Sequence, residues 1–147
     1  MNAQHLSAAP AVPTATGTPM IGVLRAMLLV EAALALVLTI FLSMAAGTAA
    51  EAIGGEAGRS SEVSLQFAAG GAFLFAIFAA VASRGARRRR GWAWTMAAIL
   101  QVLLAIGTGI AVMAADWHPV YLLGFGLAAA VMLVLSTSAV RSSLGKH

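Results

Sequence analysis

The sequence predicts an all-α fold: a bundle of four transmembrane helices, up-down-up-down, with N and C termini cytoplasmic. Three observations predict it. Apolar residues fill 61% of the 147 positions and charged residues only 10%, with a mean hydropathy of +0.91, against about 45–50% apolar and about 25% charged in soluble domains. The apolar residues gather into four runs, each of a length that crosses a hydrocarbon core of about 30 Å as a helix. The basic residues fall in alternate connections. Five arginines separate runs two and three, and Arg141 and Lys146 follow run four, whereas the remaining connections hold four acids and one arginine. The positive-inside rule then puts the arginine loop and both chain ends in the cytoplasm.

Residues 1–19 are rich in Ala, Pro and Thr, with Pro10, Pro13 and Pro19 opposing regular helix and no apolar face to bury; they read as a disordered cytoplasmic tail. Residues 20–46 form one apolar run interrupted by Arg25 and Glu31, about 40 Å long at 1.5 Å per residue. A cleaved signal peptide is the competing reading of this run, since Ala45, Ala46 and Gly47 follow it. Signal cores span only about 7–15 residues behind a basic start, and no Lys or Arg precedes Arg25, so an uncleaved span is expected. Residues 47–62 contain four Gly, three Glu and one Arg, the composition of a loop with at most a short helical turn.

The second span is read at residues 63–83 and the third at 92–115. Between them Arg84, Arg87, Arg88, Arg89 and Arg90 lie in a connection so short that the two helices must be antiparallel neighbours. Asp116, Trp117, His118 and Pro119 read as a tight turn, with Pro119 suited to the first position of the last helix. That helix is read at residues 120–140, and residues 141–147 as a polar cytoplasmic tail. Trp92 and Trp94 would anchor the inner interface, Trp117 and Tyr121 the outer one.

Glu31 is the most informative residue, because an acid in mid-span is costly and faces a bundle interior or a water-filled cavity. Counted from the cytoplasmic ends, Glu31 and Gln101 lie about 16 and about 14 Å deep, so an intramembrane polar contact between them is expected. Helical rows of small residues surround both: Glu31, Ala35, Thr39, Ser43 and Gly47 on the first span, and Ala93, Ala97, Gln101, Ala105 and Gly109 on the third. Span two offers Ser64, Ala68, Ala72, Ala76 and Ala80, and span four Gly124, Ala128 and Ser136 around Met132. Small side chains let helix backbones approach closely in lipid.

Arg25 has two readings, a side chain that snorkels to the headgroups or a partner for Glu31. Six residues of helix separate the pair by ~9 Å along the axis and about 120° around it, which favours snorkelling. Arg25, Arg84, Arg87, Arg88, Arg89 and Arg90 together are read as the interfacial basic set, lying against anionic lipid headgroups. No aromatic interleaving or nucleic-acid motif accompanies the run, so the pI of about 11.2 points to no nucleic acid.

Catalytic motifs are lacking: there is no glycine loop ending in Lys, no HExxH, no GxSxG and no paired carboxylates on one helix, so no enzyme activity is expected. With no cysteine, and with His5, His118 and His147 isolated from other ligands, no metal or cofactor is expected.

Several segments carry a resemblance. Val30-Glu31-Ala32-Ala33, the arginines 87–90 followed by Gly91-Trp92-Ala93-Trp94, Gln101, and the closing Ser138-Ala139-Val140-Arg141 resemble the uncharacterised four-helix membrane proteins of high-GC actinobacteria. That resemblance covers residues 25–146 and implies four spans and a membrane location, with no activity to carry over. Small multidrug-resistance transporters also place a glutamate in the first of four helices, but Leu29-Val30-Glu31-Ala32-Ala33 lacks their surrounding pattern. The long tail and the 47–62 connection are foreign to them too. The expected role is a non-enzymatic accessory or assembly subunit of the inner (plasma) membrane, alone as a homo-oligomer or within a membrane complex. The alternative is a proton-coupled transporter of small or cationic solutes that uses Glu31.

Overall fold

The computed structural model describes residues 17–114 and 120–144. They form α1 (Gly17–Ile53), α2 (Gly55–Arg87), α3 (Gly91–Ala114), α4 (Val120–Ser136) and α5 (Ser138–Ser143), with no strand among the described residues. Three of these helices, α1, α2 and α3, are long and apolar enough to cross a membrane, and the apolar part of α4, Leu122–Ser136, is shorter. The expected tail before Gly17, the turn at 116–119 with Trp117, the three histidines, Lys146 and the side chain of Tyr121 lie outside the described residues.

Several boundaries differ from the sequence reading; one is the end of α2, expected at 83, which lies at Arg87, so that Arg84 and Arg87 are helical. Helix α1 begins at Gly17 rather than after Pro19. Proline is harmless there because the first-turn N–H groups have no intrahelical partner to lose. The expected loop at 47–62 is almost wholly helical, since α1 continues to Ile53 and α2 resumes at Gly55. Only Gly54 and Gly55 leave the right-handed region, at φ 67° and 62°, and a glycine pair reverses the chain there without a Cβ penalty. The last span, read at 120–140, is broken at Thr137, whose extended backbone (φ −64°, ψ 137°) separates α4 from α5.

Close contacts fix the directions of the helices. Gly58 faces the Ala50 carbonyl, and the Thr39 hydroxyl, which donates to Ala35 O at 2.8 Å, also reaches Ala69 O at 3.4 Å. Helices α1 and α2 are therefore an antiparallel hairpin packed along its length. Helices α3 and α4 form a second one: Trp94 Nε1 donates to Leu135 O at 3.0 Å, and Gly124 abuts Thr108.

The two hairpins join at the arginine end. Leu24, Leu28 and Ala32 of α1 pack there with Ala79, Ala82 and Ala86 of α2, Ala93, Ala97 and Leu100 of α3, and Val131, Leu135, Val140 and Leu144 of the C-terminal segment. Beyond Gln101, no described side chain of α3 is fully buried. At 1.5 Å per residue α1 and α2 are roughly 55 and 50 Å long, well beyond an apolar core of about 30 Å, so the hairpin tip with Glu51, Glu56, Arg59 and Glu62 can stand clear of the hydrocarbon.

The expected small-residue rows lie only partly on the contact faces. On α2 the buried or half-buried stripe runs through Leu65, Ala69, Ala72, Ala76 and Ala79, while Ser64, Ala68 and Ala80 are exposed. On α1 the row holds through Ala35 and Thr39, then Ser43 and Gly47 turn outward and Leu42 and Ala46 replace them. On α4, Gly124 and Ala128 face inward as expected, but Ser136 is exposed. The reason is geometric: each step of four residues turns about 400°, so a strict i+4 row drifts about 40° per step off a straight contact face.

Candidate functional site

Glu31 and Gln101 meet. Gln101 Nε2 donates to Glu31 Oε2 at 2.9 Å, and the two residues are only 2% and 1% exposed. Each is set on a packed turn of its helix, Glu31 between Leu28 and Ala32 and Gln101 after Ala97 and Leu100, all of them buried. The alanines on the facing turns let α1 and α3 bring a carboxylate and an amide within bonding distance while excluding bulk solvent. The second oxygen of each group, Glu31 Oε1 and Gln101 Oε1, is buried and has no hydrogen-bond partner. The pair therefore holds one interhelical hydrogen bond and two unused acceptor oxygens.

Arg25 does not reach Glu31. It is exposed and lines a cavity of about 260 Å³ with Ile21, Gly22, Arg87 and Arg89. A second cavity, of about 120 Å³, is walled by Val81, Arg84, Gly85, Arg88, Arg90 and Trp92. The four consecutive arginines are thus divided, 87 and 89 to the side of α1, 88 and 90 to the side of Trp92. No described arginine side chain has an ion pair or a hydrogen bond to the protein. Neither cavity has Glu31 or Gln101 in its wall.

The turn that divides the arginines closes α2 by a specific pattern. Arg90 N donates to Gly85 O at 3.1 Å and Arg89 N to Ala86 O at 3.0 Å, the paired bonds of a Schellman cap. Its left-handed position falls on Arg89, φ 51°, where glycine is the usual occupant. Trp92 lies over Gly85, where an added Cβ would stand 2.7 Å from its ring, and Gly91 lies against Leu144 O, so the turn is clamped by the start of α3 and the end of the chain.

Sequence reasoning paired Glu31 with Gln101 from depth and spacing alone. It missed the convergence of Arg25 with Arg87 and Arg89, since a snorkelling arginine was followed only along its own helix. The available signal was depth: Arg25 lies about one turn inside the first span, level with the start of the arginine connection. Among the described residues no three His, Asp or Glu side chains converge as metal ligands.

With no strand among the described residues, three membrane-length apolar helices and a buried polar pair, the chain has the makings of a multi-pass membrane protein. No protein-family model matches it, and no match was found among curated proteins or solved structures.

Proposed function

We propose that the chain is a non-enzymatic accessory or assembly subunit of the plasma membrane, crossing it four times with both ends and the arginine turn in the cytoplasm. The observation that carries this reading is the enclosure of Glu31 and Gln101. A carrier must open its titrating acid to water on each side in turn, whereas this acid is hydrogen-bonded between helices and sealed among Leu28, Ala32 and Ala97. The antiparallel pairing of α4 with α3 supports the fourth crossing, and the run of basic residues at one end of α2 supports the sidedness. Kinship with the actinobacterial four-helix proteins belongs to the same proposal and rests on the sequence segments alone.

The test is proton flux in liposomes containing the purified protein, driven by a panel of small and cationic solutes. A structural subunit gives no solute-driven flux, and Glu31→Gln changes nothing. Flux that Glu31→Gln abolishes would establish the transporter reading instead.

A further inference from the structure

We propose that Arg25, Arg87 and Arg89 form a binding site for the phosphate of one anionic phospholipid, held between α1 and the α2–α3 turn. Three exposed arginines from two parts of the chain line one cavity of about 260 Å³. No carboxylate is among its wall residues, and none of the three arginines has an ion pair. An anion placed among these like charges would offset the repulsion that solvent otherwise screens. Guanidinium groups suit phosphate because their planar forks donate two parallel hydrogen bonds to its oxygens. The remaining wall, Ile21 and Gly22 of α1, is apolar and leads along a membrane-length helix, which fits the glycerol and acyl end of a lipid better than a free ion. Basic pockets beside transmembrane helices take such headgroups.

Arg89 provides an independent argument. It occupies the left-handed position of the cap, where a side chain strains the backbone and glycine does not. An arginine kept where glycine would fold better is accounted for by a task of its side chain. The smaller cavity beside Trp92 also has three arginines but draws them all from α2 and its turn, so an anion there would not bridge to α1.

The proposal rests on the membrane reading, and its test can fail separately. The full chain in neutral detergent is titrated with short-chain phosphatidylglycerol, short-chain phosphatidylcholine or inorganic phosphate, following the thermal unfolding midpoint. Phosphatidylglycerol alone is expected to raise it. Inorganic phosphate raising it as far would make the ligand a free anion and overturn the lipid assignment, and an equal response to phosphatidylcholine would remove the anion site. Arg25→Gln and Arg89→Gly are each expected to weaken the phosphatidylglycerol effect ~10-fold, the scale of one charge-assisted hydrogen bond. Arg88→Gln, on the other cavity, should weaken it less than about twofold, and Arg25→Lys, which keeps the charge but loses the planar fork, should fall between the parent and Arg25→Gln. Arg89→Gly is decisive because it should raise the lipid-free midpoint while weakening the lipid response. Should Arg25→Gln fail to fold, Arg25→Lys and Arg89→Gly carry the test. Lipid binding unchanged in Arg89→Gly, or equal losses in Arg25→Gln and Arg88→Gln, would reduce the arginines to a diffuse basic layer. A protein that still needs detergent to stay dispersed would leave the membrane reading standing in either case.

Discussion

Gln101 donates to one oxygen of Glu31 and leaves its own carbonyl oxygen unpaired, so the two side chains at position 31 that differ least in shape should behave differently from an apolar one. Glu31→Gln keeps the acceptor and adds an N–H that can serve Gln101 Oε1, so its thermal stability in detergent should equal or exceed that of the parent. Glu31→Leu strands both ends of the Gln101 amide and should cost roughly 1–2 kcal/mol, the upper range for interhelical hydrogen bonds in membranes. Equal melting of the two variants would sink the contact. This pair was legible beforehand because a polar group in an apolar run has few places to go, and depth counted from the same end of two parallel helices, α1 and α3, restricts them further. The arginine cavity was not legible. Its geometry depends on which way each arginine leaves a six-residue cap, and the left-handed Arg89 is invisible to a rule that reserves that conformation for glycine.

At the scale of the helices, the 47–62 segment shows where composition misleads. Hydropathy falls after Ala46, yet the helix does not end there but runs on to Ile53. Each interior glycine costs about 1 kcal/mol in a helix, yet the close pairing of α1 with α2 outweighs that cost, and of the four glycines only Gly54 and Gly55 break the helix. Gly58 has a packing role: a Cβ there would lie 2.9 Å from Ala50 O, a backbone atom that cannot step aside. Gly58→Ala should therefore force the hairpin apart and cost about 1–3 kcal/mol. Gly71→Ala meets nothing within 4 Å and should stabilise α2 by roughly 0.5–1 kcal/mol. Thermal unfolding of the two variants checks the contrast, and a neutral Gly58→Ala would argue against close approach at the tip. The shortness of α4 had a signal that was passed over: the run read at 120–140 contains Ser136-Thr137-Ser138, and the backbone turns aside at the middle one.

For the molecule as a whole, the four-span arrangement and its sidedness can be tested together. The native chain has no cysteine, so single cysteines report without background. In intact cells Gly55→Cys, at the hairpin tip, should react with a membrane-impermeant thiol reagent, and Arg88→Cys, exposed in the arginine turn, should react only after permeabilisation. The opposite pattern would invert the orientation, and labelling of both from outside would refute the crossing by α2 that separates them. Burial is also uneven between the two ends of the bundle. The joint core lies at the arginine end, where all five helices contribute, so amide hydrogens of α3 near Ala97 should exchange more slowly in detergent than those near Gly107.

The continuous helix from Glu31 to Ile53 is a rigid arm of roughly 33 Å, hinged where α1 is gripped and unbraced by α3 and α4 farther out. A 5° change of tilt at the gripped end swings its far end by about 3 Å, so small rearrangements among the inner side chains would reach the hairpin tip as a displacement about as large as a hydrogen bond is long.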